Sequence, residues 1–84
     1  MKLITRCNNI GYYIDLDNGN WIDDYIAKQL GLELEDYHKI LKKYNAFCKI
    51  IINNKGDCYF YSQSDAEKAI EELEPYLILA TLTN

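Results

Sequence analysis

The sequence predicts a small α+β domain of order ββααββα, an antiparallel sheet with helices packed on one face. Three observations carry that prediction. Runs rich in β-branched and aromatic residues flank two turn-forming stretches, Asn8-Asn9-Ile10-Gly11 and Asn53-Asn54-Lys55-Gly56, and so mark two β-hairpins. Between the hairpins, Ile22 to Leu41 places apolar residues at helical spacing and is interrupted at Gly31, which marks two short helices. After the second hairpin, Ser64-Asp65-Ala66-Glu67 has the Ser-x-x-Glu spacing of a capping box and opens a third helix. With 84 residues, 49% of them apolar and 26% charged, the chain suffices for one domain over residues 1–84 around one core.

The first hairpin pairs Lys2 to Cys7 with Gly11 to Leu16, where Tyr12, Ile14 and Leu16 share a face and Gly11 is available for a positive φ. Asp17 to Asn20 is a loop, and Asn20 is placed to cap a helix starting at Trp21, with Asp23 and Asp24 near its positive end. The buried stripe of that helix is Ile22, Tyr25 or Ile26, and Leu30, and Gly31 ends it. The second helix runs from about Leu34 to Tyr44, acidic at its start and lysine-rich at its end, as the helix dipole favours. Its stripe is Leu34, Tyr37, Leu41 and Tyr44, with Ile40 alongside.

Phe47 to Ile52 and Asp57 to Tyr61 form the second hairpin. The third helix buries Ala66, Ala69 or Ile70, and Leu73. Pro75 removes a backbone donor from it, so the spacing predicts a kink or a fresh short helix to about Thr81, with a terminal strand over Leu77 to Leu79 as the alternative. The two Asn-Asn-x-Gly turns occupy matching places in their hairpins, which turn chemistry explains without a duplication.

No long apolar run follows the N-terminal Lys2, since Arg6, Asn8 and Asn9 interrupt it, so the expectation is a cytoplasmic chain with no membrane segment. Cys7, Cys48 and Cys58 form an odd set with no C-x-x-C spacing, and buried, reduced thiols are expected rather than a disulfide framework or a zinc site. The 8 tyrosines exceed what so small a core can enclose, which leaves some for protein contacts.

Ile26-Ala27-Lys28-Gln29-Leu30-Gly31-Leu32, with Ile40 further on, resembles the first helix and turn of helix-turn-helix DNA-binding modules. That resemblance implies DNA contacts through Leu34, Glu35, His38 and Lys39. Charge opposes it: Glu33, Glu35 and Asp36 occupy the end that would approach phosphates, which argues against direct nucleic-acid binding. Asp15-x-Asp17-Asn18-Gly19 resembles a calcium loop, but its glycine is one place early and Ile26 stands where the bidentate glutamate belongs. A turn followed by a helix cap accounts for it. There is no glycine-rich phosphate loop and no nucleophile in a recognisable setting around His38, so neither a cofactor nor an enzymatic activity is expected.

The third helix carries the most informative surface. Glu67, Glu71 and Glu74 repeat at i, i+4 and i+7, with Asp65 and Glu72 beside them. From residue 47 onward three lysines face six acids, which supplies minus three of the chain's formal minus four. A solubilising face accounts for such a ridge, and so does a mimic of a phosphate backbone that docks into a basic groove. In size, acidity and a composition rich in Ile, Asn, Lys and Tyr, the chain resembles the small proteins of phages and mobile elements, among them anti-CRISPR inhibitors. The resemblance implies a protein partner with a basic nucleic-acid-binding groove, contacted by Asp65, Glu67, Glu71, Glu72 and Glu74, with Tyr59 and Tyr61 as aromatic anchors. A small helix-turn-helix regulator and an accessory subunit of a larger assembly are the alternatives, and the sequence sets no oligomeric state.

Overall fold

Cross-strand pairing decides the shape of the first hairpin. In the computed structural model, which describes residues 1–50 and 56–83, β1 (Leu3–Cys7) pairs antiparallel with β2 (Tyr12–Leu16) in the register Leu3 to Leu16 and Thr5 to Ile14. That register puts Leu3, Ile14 and Leu16 on one face, and all three are buried. The turn is held by Asn8, whose Oδ1 accepts the amides of Ile10 and Gly11 at 2.9 and 3.2 Å. Gly11 does not adopt a positive φ, contrary to expectation; a Cβ there would stand 2.8 Å from the carbonyl oxygen of Phe60, so the glycine serves close approach.

On the opposite face of the hairpin, Arg6 clasps the loop that follows. Its Nε donates to Asp15 Oδ2 at 2.7 Å and one terminal nitrogen donates to the Gly19 carbonyl at 2.8 Å. The Asp15 carboxylate is fully buried and also accepts the amides of Leu16 and Trp21. Asp15 is therefore a structural anchor, and the calcium-loop pattern is a turn held by an ion pair.

Helix α1 spans Asp23–Gln29, two residues later than expected, because Asn20 makes no cap; the residue before the helix is Ile22, which has no side-chain cap and is exposed. The Asp23 amide is instead taken by Asp57 Oδ1 at 3.0 Å, from the far hairpin. The inner face is Ile26, Ala27 and Leu30. Gly31, with φ 72°, ends the helix in a Schellman motif: the Leu32 amide bonds to the Ala27 carbonyl and that of Gly31 to Lys28.

Helix α2 (Leu34–Lys43) buries Tyr37 and Leu41 completely, with Leu34, Ile40 and Tyr44 packed at the margin of the core. It ends in the same way as α1. Asn45 takes φ 67°, the Ala46 amide reaches the Leu41 carbonyl, and the Asn45 amide reaches Lys42.

Strands β3 (Phe47–Ile50) and β4 (Gly56–Tyr59) pair antiparallel with Cys48 opposite Cys58. The expected turn residues Asn53, Asn54 and Lys55 lie outside the described residues. The two hairpins are separate two-stranded sheets joined by a bridge between Tyr12 and Phe60, whose amides each bond to the other's carbonyl. Gly11 is what allows the approach.

Helix α3 (Gln63–Thr83) packs Ala66, Ala69, Ile70, Leu73 and Leu77 against this framework. Its start is capped by Ser62, whose Oγ accepts the Asp65 amide at 3.2 Å, so the cap lies two residues before the expected Ser64. The helix runs unbroken past Pro75, and neither a second short helix nor a terminal strand forms. Pro75 is on the exposed side, where the carbonyl it leaves unpaired can meet solvent, and burial of Leu73 and Leu77 on either side keeps the helix in phase. No helix among the described residues is long and apolar enough to cross a membrane.

Candidate interaction surface and the Asp23 node

The outward face of α3 is set by the helical period. Residues 67, 71, 74, 78 and 82 advance by four or three, so Glu67, Glu71, Glu74, Ile78 and Leu82 follow one line along the helix, away from the buried stripe. All five are exposed, Ile78 at 59% and Leu82 at 76%. Over about 22 Å, at roughly 1.5 Å per residue, the line passes from three carboxylates to two large aliphatic side chains. Met1 lines a surface depression with Ile78 and Leu82 and adds exposed apolar surface there.

The remaining predicted contact residues separate into two groups. Asp65 is half-buried at the helix start and Tyr61 is 74% exposed, resting against Phe47 with ring centroids 4.6 Å apart. Glu72 points back to α2, where it meets Lys43 Nζ and accepts the Tyr44 hydroxyl, both at 2.6 Å. These partners hold the Glu72 carboxyl below its ordinary range, the Lys43 bond being the larger cause, and raise Lys43 in turn. Tyr59 is not the exposed anchor expected of it: it is 6% exposed and packs edge-on to Tyr13. Strand alternation puts it on the face opposite Cys58 and Phe60, and there the rings of Tyr13 and Phe47 cover it, whereas Tyr61 lies beyond the strand.

The residues proposed for DNA contact do not form one exposed set. Glu35 and Lys39 are exposed and lie 3.9 Å apart as an i,i+4 pair, Leu34 packs against the core, and His38 turns away from solvent. His38 belongs to a buried polar node that the sequence did not suggest. Its Nε2 lies 2.9 Å from Asp23 Oδ2, and the same oxygen accepts the Cys58 amide at 2.8 Å. Burial pushes the Asp23 carboxyl above its ordinary value; the hydrogen bonds from His38 and Cys58 oppose that rise.

Comparison with protein-family models, with characterised proteins and with solved structures finds no match to this chain. Its function rests on its own geometry.

Cysteine placement also differs from expectation. Cys48 and Cys58, across the β3–β4 pair with Cα atoms 4.0 Å apart, are joined as a disulfide, and Cys7 is free and exposed. Their separation by a hairpin turn, with no short motif spacing, gave no signal until the register was known. One ring nitrogen of His38 and the two sulfurs all lie within 4.8 Å of one another.

Proposed function

We propose that this chain is a non-enzymatic interaction protein that docks the outer line of α3 onto a protein whose basic surface borders an apolar cleft. Nucleic-acid-handling proteins present such basic surfaces, and occupying one would inhibit its owner. The observation that supports this reading is the continuity of Glu67, Glu71 and Glu74 with the exposed Ile78 and Leu82 on one helix face. Clustered large aliphatics at the surface of a small domain mark interaction sites, and charge beside them orients the encounter. The two parts have separate tasks: the carboxylates speed association and set register, and the apolar end supplies the water-excluding contact.

The test is capture of partners from bacterial lysate by the immobilised chain, with and without nuclease, followed by affinity measurement on the purified partner. A nucleic-acid-handling protein retained after nuclease treatment is the expected result. Leu82→Ala should then weaken its binding by about tenfold, or ~1.4 kcal/mol. Paired Glu67→Lys and Glu71→Lys should slow association and remove its salt dependence. Recovery of nucleic acid alone would favour the helix-turn-helix reading, and self-association abolished by Leu82→Ala would replace the heterologous partner with a second copy.

A further inference from the structure

We propose that His38, Cys48 and Cys58, once the two cysteines are reduced, bind a zinc-class divalent metal ion, and that the disulfide is the empty, oxidised state of this site. The three side chains come from α2, β3 and β4, and their donor atoms already converge within 4.8 Å. A tetrahedral zinc ion with Zn–S bonds of about 2.3 Å holds its sulfurs roughly 3.8 Å apart, a separation that side-chain rotation of two directly opposed cysteines can reach. Two thiolates with one imidazole select a borderline or soft ion over calcium or magnesium. The set supplies three ligands and leaves a fourth position for water or an outside ligand, the coordination of an open site.

The surrounding polar groups fit a ligand-orienting role. Asp23 holds His38 Nε2 at 2.9 Å and so fixes the imidazole plane before the ion arrives; with the proton on that nitrogen, the other keeps its lone pair for a metal. Asp23 is itself held at both ends: its carboxylate accepts the Cys58 amide, and its own amide donates to Asp57. A buried carboxylate fixing a half-buried imidazole is a costly arrangement for packing alone. Cys58 is buried while Cys48 and His38 are half-buried, so the site closes on the core side and opens on the other.

The chemistry balances with a dithiol reductant. Two electrons and two protons pass from the dithiol to the Cys48–Cys58 bond, which breaks to give two thiols while the reductant closes to its own disulfide. Metal binding then forms two metal–sulfur bonds and one metal–nitrogen bond and releases the two thiol protons to solvent. Oxidation and metal loading are mutually exclusive, so the metal content of the chain follows its redox state.

The test uses the full chain, reduced with a phosphine, stripped of metal and titrated anaerobically with cobalt(II). A thiolate-to-cobalt charge-transfer band should grow to one ion per chain and vanish when zinc is added. Zinc should also raise the melting temperature of the reduced protein. The oxidised and the thiol-alkylated wild-type chains should show neither effect, a comparison that no misfolded variant can imitate. His38→Ala, Cys48→Ser and Cys58→Ser should abolish saturable binding, Cys7→Ser should leave it intact, and Asp23→Asn should weaken it by about 10- to 100-fold. Absence of the band in reduced wild type, or a band unchanged by His38→Ala, would overturn the proposal.

Discussion

Among the described residues, Tyr37 is the one that buries a side-chain polar atom without a partner. Its ring is fully buried at the centre of the core, yet its hydroxyl is buried with no hydrogen-bond partner among the described residues. Burial, reinforced by the charges of Asp23, Asp57 and Asp15, raises the phenol well above its ordinary value of 10.0. Leaving such a donor unsatisfied costs about 1–3 kcal/mol, so Tyr37→Phe is expected to hold or increase stability by up to ~1 kcal/mol in urea unfolding at neutral pH. The alkaline side sharpens the test. Above pH 10.0 the unfolded chain releases the phenolic proton while the folded chain retains it, so stability falls as pH rises, and the phenylalanine variant should lose less. Equal alkaline slopes in the two proteins would show that the phenol releases its proton alike in the folded and unfolded chains and is not sealed from water.

Among the elements, both short helices end by the same device, and the two differ in what the sequence disclosed. Gly31 is conspicuous as a helix stop; Asn45 performs the same left-handed turn and is not, because asparagine is common in many other settings. Asn45→Ala should destabilise the chain by about 1 kcal/mol and Asn45→Gly should not, as thermal melts of the two variants would reveal. Local patterns sufficed for the hairpin cores, for the α2 stripe and for the α+β order, since each depends on residues close in the chain. They failed where a distant partner intervenes. The amide at the start of α1 is capped by Asp57, 34 residues away, and the packing of Leu73 and Leu77 carries α3 through Pro75. The acidic part of the α3 line was visible as an i, i+4, i+7 repeat, but its apolar continuation through Ile78 and Leu82 emerges only once the helix is known to be unbroken. The His38, Cys48 and Cys58 cluster joins three elements and has no spacing to read.

For the molecule as a whole, Glu72 ties α3 to the end of α2. With its carboxyl held low by Lys43 and Tyr44, it contributes stability above its unfolded value of 4.5, and that contribution disappears as pH falls through its folded value. Lys43 mirrors it at the basic end: raised by Glu72, it contributes below 10.5 and ceases to do so as pH rises through its folded value. Asp23 acts in the opposite sense to Glu72. Its raised carboxyl makes the fold less stable as pH climbs from 3.8 through its folded value. Glu72→Gln should therefore lower the melting temperature near neutrality, with the deficit shrinking as pH falls below 4.5 and as salt is added, because the bridge is exposed. A deficit independent of pH would mean that Glu72 acts through packing rather than charge.

The junction at Gly11 also has a kinetic meaning. Each hairpin, and the α1–α2 corner, consists of contacts between near neighbours and can form while the remainder of the chain is still searching. The paired amides of Tyr12 and Phe60 join opposite halves of the chain, so their formation must wait for the long intervening loop to close. Docking of one hairpin on the other, like the packing of α3 on β1 and β2, therefore bears a loop-closure cost. Those two amides are expected among the last to exchange their hydrogens in a native-state exchange experiment, opening when the molecule opens as a whole.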